Sequence, residues 1–444
     1  MEDGTPSLLD DKKRTSKIAR LSLLSLFNRF GFALNSIALP LFALAIGQDE
    51  AFYGVMVAAA GYVQAIALFP AGTLSDRKGR GAAILFGGIV NGACLFYLPF
   101  VTDSLMIIIV YALTGVGSGF TRTSLDSLIA DHTKKGNERT KSYGITIAVA
   151  TLAASTGPFL AGFIIDPVAF PLAADPLFRY AILFYIMGSF RLAAGIFGFF
   201  TERWLHDNPD ITPAIVEEAE EEPDDSQELN GNSRDDLITA ILFGTSQAMM
   251  GISSGMVVPF LIPWIYAAFN PDPIILGSVP AVANLTLASG TLFVGLQSER
   301  VGKIKMIFLL YLLTPLLTIG MVYIPIFLVM VGFYVIRMAV ANMARPASNS
   351  LFMGEISSER RARSLALTRV MWTFPRQTGT LLTSYLLSIG IMGGIVNFGR
   401  FFFPIAFMLY PVCVIPMYLA VRRNKRIVEQ RRQQRELTDS VEVP

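Results

Sequence analysis

Histidine is nearly missing from this chain. Its two copies, His132 and His206, lie outside the long apolar runs, and no phosphate-binding loop, metal-spaced cluster or nucleophile elbow accompanies them. Catalysis, a bound metal and a cofactor are therefore not expected, and without a nucleotide loop an ATP-driven pump is excluded. Cysteine is equally scarce. Cys94 and Cys413 both fall inside apolar segments, which rules out a disulfide framework and predicts two packed thiols. Charge is short as well: Asp, Glu, Lys and Arg make up 16% of the 444 residues, against 53% hydrophobic. That is far from an ordinary soluble domain, and no nucleic-acid partner is expected.

What the chain has instead is apolar length. A transmembrane helix takes roughly 20 mostly apolar residues. Runs of that length stand near 18–46, 51–74, 81–102, 105–130, 140–165 and 178–203, then 237–268, 273–297, 303–323, 325–353, 363–390 and 396–421. The expected fold is an all-α integral membrane protein with twelve transmembrane helices. Tyr323, Ile324 and Pro325 mark a turn within the nearly continuous stretch from 303 to 353. The first run follows a polar segment and is too long for a signal core, so it is expected to stay as the first span.

The net charge of +2 says little, but its distribution orients the chain. Lys12, Lys13, Arg14, Lys17 and Arg20 precede the first span, and Arg422, Arg423, Lys425 and Arg426 follow the last. Between them bases fall in alternate loops, Arg77 to Arg80, Lys134 to Arg139, Arg300 to Lys305 and Arg360 to Arg363, while the intervening loops carry almost none. The positive-inside rule puts both termini in the cytoplasm, and a plasma-membrane location is expected.

Part of the sequence recurs. "GTLSDRKGR" from Gly72 is echoed by "GLQSERVGK" from Gly295, and the same register lays "YALTGVGSGFTR" from Tyr111 on "YVIRMAVANMAR" from Tyr334. Two parallel six-helix halves follow. The boundaries are a tail over 1–17, a first bundle over 18–203, a linker over 204–236, a second bundle over 237–421 and a basic tail over 422–444. The linker holds "EEAEEEPDD", which cannot bury a core and reads as a solvated tether.

The opening motif, the duplication and the number of spans together resemble the major facilitator superfamily, whose two six-helix halves rock around a central cavity. The family's loop after the second helix is matched by Gly72, Leu74, Asp76, Arg77, Gly79 and Arg80, with Gly81 where a last base is usual. "STGPFLAG", containing Gly157 and Pro158, resembles the fifth-helix motif of the drug and proton antiporter branch. The resemblance implies a gate built from Gly72, Asp76, Arg77, Gly79 and Arg80, with Arg80 paired to Asp126 of the fourth helix. Asp76 would face the N-terminal end of the eleventh helix, and Gly295, Glu299 and Arg300 would repeat the device. Where the branch has an arginine in the fourth helix, ahead of Gly115, this chain has Tyr111. Since that arginine is associated with proton coupling, the resemblance does not carry coupling over.

Ionisable residues at bilayer depth cost about 2.5–3.5 kcal/mol each on insertion scales, so each one is a functional candidate. Here they are almost all arginines: Arg29, Arg122, Arg191, Arg337, Arg345, Arg369 and Arg376, with Asp126 the one acid well inside a span. Arg369 and Arg376 are seven residues apart, hence on one helix face roughly 10.5 Å apart, with Thr373 and Thr380 beside them. Asn342, Arg345 and Asn349 form a second stripe. Both stripes are expected to face a cavity, with Gln64 and Gln247 as further polar lining. The sixth helix is peripheral in the family, so Arg191 is expected to snorkel or bind a backbone carbonyl. Arg337 and Arg376 are the leading solute contacts and Arg29 the third, because arginine forks match carboxylate and phosphate.

The function expected is alternating-access transport, as an exporter, of a small organic solute that is anionic or amphipathic. A proton or counter-anion would be the coupled species, and the protein a monomer in the bilayer. Two alternatives stand beside it. One is proton-coupled efflux of neutral hydrophobic compounds, with Met249, Met250 and Trp264 against the solute; the other is a non-transporting sensor on the same fold.

Overall fold

A computed structural model describes residues 8–131, 137–171, 175–208, 233–356 and 361–441. Within them the chain is helical throughout, and ten helices are long and apolar enough to cross a membrane. The first span is α1 (Leu8–Ala33) with α2 (Asn35–Ala45), followed by α3 (Glu50–Lys78), α4 (Arg80–Tyr97), α5 (Ser104–Asp131), α6 (Asn137–Ile165) and α7 (Pro176–His206). The seventh span is α8 (Ser233–Val257) with α9 (Leu261–Phe269). Then come α10 (Pro273–Val301), α11 (Lys303–Tyr323), α12 (Phe327–Gly354) and α13 (Arg361–Ser388). The last span is α14 (Ile395–Phe407), α15 (Leu409–Val412) and α16 (Val414–Val441). The eighth span contributes a shorter apolar helix over Pro273–Leu287. The eleventh, α13, has the length but carries Arg369 and Arg376 among its apolar residues.

Local chemistry sets the helix ends. Asp49 caps α3 by accepting from Phe52 N at 2.8 Å, and Asp175 caps α7 by accepting from Leu177 N at 2.9 Å, with Pro176 in the first turn. The turn after α11 falls at Ile324, as expected from Tyr323, Ile324 and Pro325. Three of the long apolar runs are interrupted: the first at Leu34, the seventh by a 3₁₀ turn over Val258–Phe260, and the last near Met408 and Cys413. Prolines at 40, 259 and 404 lie at or near these breaks, and each removes a backbone donor. Ser253 Oγ donates to the Ala406 carbonyl at 2.6 Å, which meets the requirement that a polar backbone group in hydrocarbon find a partner.

The described residues group into two units. The first takes those of Met1–Ala219 together with Pro259–Ala288 and Thr383–Val396. In it α3 packs on α5, α4 on both α5 and α7, and α1 on α6, around Leu21, Leu24, Ile84 and Leu128. Glycines let the backbones meet, as where a Cβ on Gly88 would lie 2.7 Å from Gly195 Cα. In the same unit Gly162 lies against the Pro273 carbonyl and Gly277 against that of Pro158. The second unit takes Glu220–Val258, Ser289–Leu382 and Asn397–Pro444. Within it α11 packs on α12 and α8 on α16, and Gly251 and Gly255 bring α8 onto the α13 backbone at Trp372 and Arg376.

Candidate functional site: a charged turn and intramembrane arginines

The opening loop is a tight turn between α3 and α4. Gly79 supplies it at φ +94°, and Gly302, its counterpart in the repeat, sits at φ +92°, a region that glycine enters at no steric cost. Arg80 then turns back on the loop. Its NH1 donates to Asp76 Oδ1 at 2.6 Å and Ser75 Oγ at 2.9 Å, and its Nε to Asp131 Oδ2 at 3.2 Å.

The expected pairing of Arg80 with Asp126 is thereby corrected. Asp126 is exposed, and the acid that meets Arg80 is Asp131, at the last residue of α5, level with the turn rather than more than a helical turn inside the span. At Gly72 a Cβ would meet nothing within 4 Å among the described residues. Gly295, Glu299 and Arg300 lie in α10, but their side chains are outside the described residues, as is that of Arg345 in α12. Arg77 is exposed.

Sequence reasoning missed the acid that organises the turn. Glu202, in the last turns of α7, accepts from the backbone N–H of Arg80 at 2.5 Å and of Gly81 at 2.8 Å. These are the orphan donors of the first turn of α4, at its positive end. The available signal was a single acid in "FFTERW", closing an otherwise apolar helix.

In the first unit the arginines come together differently from expectation. Arg191 is 6% exposed. Its side chain passes Gly31, where a Cβ would lie 3.4 Å from Arg191 Cγ and 3.3 Å from Phe190 Cβ. Beyond it, NH1 donates to Asn28 Oδ1 at 2.5 Å and the guanidinium stands 5.5 Å from the Phe32 ring. Arg191 therefore does not snorkel, and its partner is a side-chain amide oxygen rather than a backbone carbonyl; it reaches the first span, near Tyr111 and Arg29. Arg29 is exposed. A crevice of about 310 Å³, lined by Leu26, Phe30, Leu152, Ala153, Thr156 and Phe190, opens nearby. Gly157 packs on Ala33, where a Cβ on the glycine would lie 2.6 Å from Ala33 Cβ, and Pro158 is buried. Gln64 is half-buried where α3 meets Gly115 and Gly119 of α5.

In the second unit Arg337 is sealed. It is 1% exposed, its NH2 lies 2.7 Å from Met338 Sδ, and its guanidinium stands 4.9 Å from the Phe407 ring and 5.9 Å from that of Tyr334. Its Nε has no partner among the described residues. The expectation of a cavity-facing Arg337 is corrected for this conformation. Arg376 is half-buried, 5.3 Å from the Trp372 ring, and Arg369 is exposed. Thr380 does not join them at a surface: it is buried and donates to the Gly255 carbonyl at 3.0 Å. Asn342 donates to the Met338 carbonyl at 2.8 Å, and Gln247 is half-buried. Trp264, which belongs to the first unit, is 1% exposed and donates to the Val396 carbonyl at 3.2 Å, a packing position rather than a solute surface.

The family model of the Major Facilitator Superfamily matches residues 21–380. The chain belongs to the Major Facilitator Superfamily. Among curated superfamily proteins, it is 29% identical over 163 residues to the multi-drug resistance efflux pump PmrA of Streptococcus pneumoniae, covering 36% of this chain and 38% of that one. It is 36% identical over 112 residues to the inner membrane transport protein YajR of Escherichia coli, covering 23% and 24%. The chain thus aligns with well under half the length of either relative. The fold is similar to a bacterial homologue of the human lysosomal transporter Spinster in an inward-facing and occupied conformation, with TM-score 0.71 at 12% identity over 92% of this chain and 97% of that one. It is also similar to the nucleoside transporter NupG, with TM-score 0.68 at 12% identity over 90% and 99%. At such identities the likeness concerns the fold alone.

Two departures from the superfamily pattern acquire physical reasons. Gly81 replaces a base because a Cβ there would lie 2.8 Å from Glu202 Oε2 and 2.9 Å from Phe199 Cα. Tyr111 replaces the fourth-helix arginine, and the cation beside that position is Arg191 of α7.

Proposed function

We propose that the protein exports a small organic solute, anionic or amphipathic, by alternating access across the plasma membrane. In this reading the halves 18–203 and 237–421 move against each other, the linker over 204–236 tethers them, and both termini are cytoplasmic. The observation that carries it is the unpaired positive charge at bilayer depth: Arg29, Arg191 and Arg337 have no carboxylate partner among the described residues. Such groups repel a cation and favour an anion. Arg29, Arg369 and Arg376 reach the surface and are the contacts we assign to the solute. Arg337, sealed beneath Phe407, adds field from a distance, and the crevice by Phe30 and Phe190 suits an apolar body. Asp76, Arg80, Asp131 and Glu202 are assigned to the gate.

A second reading has one observation behind it. PmrA carries the name of a multi-drug resistance efflux pump, and that likeness supports the alternative of efflux of hydrophobic compounds, proposed here as neutral and proton-coupled. A thermal-shift screen of the purified full chain separates the two, because binding to the native state alone raises its stability, by about 2.7 kcal/mol at a hundredfold excess over Kd. Organic anions are expected to raise the midpoint and neutral hydrophobic compounds and tetraphenylphosphonium to leave it unchanged, and Arg376→Ala is expected to lose the anion effect. Stabilisation by the neutral or cationic hydrophobic probes alone would overturn the reading.

A further inference from the structure

Arg191 is a buried cation with no acid beside it among the described residues. Its hydrogen-bond partner is a neutral amide, Asn28 Oδ1 at 2.5 Å. Besides the Phe32 ring, the groups around it are Tyr111 and Arg29, neither an anion at neutral pH. Arg29 is exposed, one residue from Asn28. Buried Arg191 thus has a like charge near it on the first span, which raises the cost of holding its own. A purely structural strap between the first and sixth spans needs no charge, since an apolar side chain would pack there at lower cost. At Gly31 the first and sixth spans approach closely, a Cβ there standing 3.3 Å from the Met187 carbonyl oxygen and 3.4 Å from Arg191 Cγ, so the Arg191 side chain runs directly against the first span.

We propose that Arg191 and Arg29, with Asn28, form a subsite for the oxyanion end of a ligand, a carboxylate or a phosphate. The proposal deepens the anionic-solute reading and rests on it. An oxyanion takes two N–H donors from a guanidinium fork, and Asn28, while holding Arg191 through its oxygen, presents its own amide donors beside the pair. Bound there, the anion neutralises the repulsion between the two arginines. The exposed Arg29 makes first contact and the buried Arg191 fixes the orientation.

The test uses purified full-length protein in neutral detergent, with benzoate and inorganic phosphate as probes and thermal midpoint as the readout. Arg191→Met is expected to melt no lower than the wild type without ligand, because an unpaired buried charge has been removed. Its half-saturating benzoate concentration should rise about tenfold or more, the loss expected of one charge-assisted hydrogen bond. Arg29→Gln, at an exposed position, should show the same loss and keeps the test alive if Arg191→Met does not fold. A lowered ligand-free midpoint with unchanged benzoate response in Arg191→Met would make Arg191 a structural strap and overturn the subsite. If both variants keep the response while Arg376→Ala loses it, the solute is anionic but binds elsewhere, and the subsite alone is overturned. If neither probe shifts the wild type, the anionic-solute reading falls and the subsite with it. Stabilisation by phosphatidylglycerol without any by benzoate would make the bound anion a lipid headgroup, which also overturns the assignment to the solute.

Discussion

Glu202 holds the start of α4 from the end of α7, its Oε2 2.8 Å from the Gly81 backbone N–H and its Oε1 2.5 Å from that of Arg80. The contact joins the third span to the sixth at the charged turn, where Arg80 also ties Asp76 to Asp131. One acid satisfies two donors that water would otherwise have to reach.

Removing that acid should loosen the turn. Glu202→Ala is expected to lose about 0.5–2 kcal/mol of stability, the range of a lost helix cap, while Glu202→Gln, which keeps an acceptor oxygen, loses less. Thermal melting of the three proteins in one detergent checks the order; equal midpoints for wild type and Glu202→Ala would contradict the clamp.

Restoring the family base at Gly81 should do harm. Gly81→Arg puts a Cβ 2.9 Å from Phe199 Cα, and overpacking of this kind costs about 1–3 kcal/mol. If Gly81→Arg melts at or above the wild-type temperature, steric exclusion is not the reason for the departure.

Glu355 gives a pH dependence. Burial pushes its carboxyl above the usual range, against the opposing effects of Asn424 and Lys425. Asn424 donates to Oε2 at 2.9 Å and is itself held by Thr239 at 3.0 Å. Because the folded-state value is raised, the contribution of Glu355 to stability is full below its unfolded value and is lost as pH rises through the folded one. Glu355→Gln, which keeps the bond from Asn424, should flatten this decline and raise the midpoint at neutral pH. A midpoint lowered at every pH would show that the charged form is the one the fold favours.

Arg337 is the counterpart inside the second unit. Replacing a buried, uncompensated guanidinium by Arg337→Met is expected to stabilise the ligand-free protein by about 1–4 kcal/mol, read from denaturation midpoints. A loss of stability would mean that its aromatic setting at Phe407 and Tyr334 more than offsets the desolvation.

Much of the fold was legible in the sequence because apolar length and alternating basic loops report it directly. The turn at Tyr323 to Pro325 and the glycine turn at Gly79 needed nothing more. Periodicity was less use for the charges. It places a residue on a face of its helix but does not say how far a long side chain reaches, so a position on the sixth span gives no sign that Arg191 bonds Asn28 of the first. Nor does it rank two acids near one helix end, hence Asp126 for Asp131. Glu202 could not be found because its partners are backbone N–H groups, which leave no mark in the side-chain pattern. Arg337 failed for the reverse reason: its residue type said anion, and its burial under Phe407 is a matter of packing alone.

The central claim is the sign of the solute's charge. Proteoliposomes holding the wild-type protein, loaded with an imposed gradient of labelled benzoate in one set and of ethidium in the other, test it most directly. Saturable benzoate flux that is lost in Arg376→Ala, with ethidium moving no faster than in empty vesicles, is the predicted result. Saturable, proton-driven ethidium efflux without benzoate flux would contradict it.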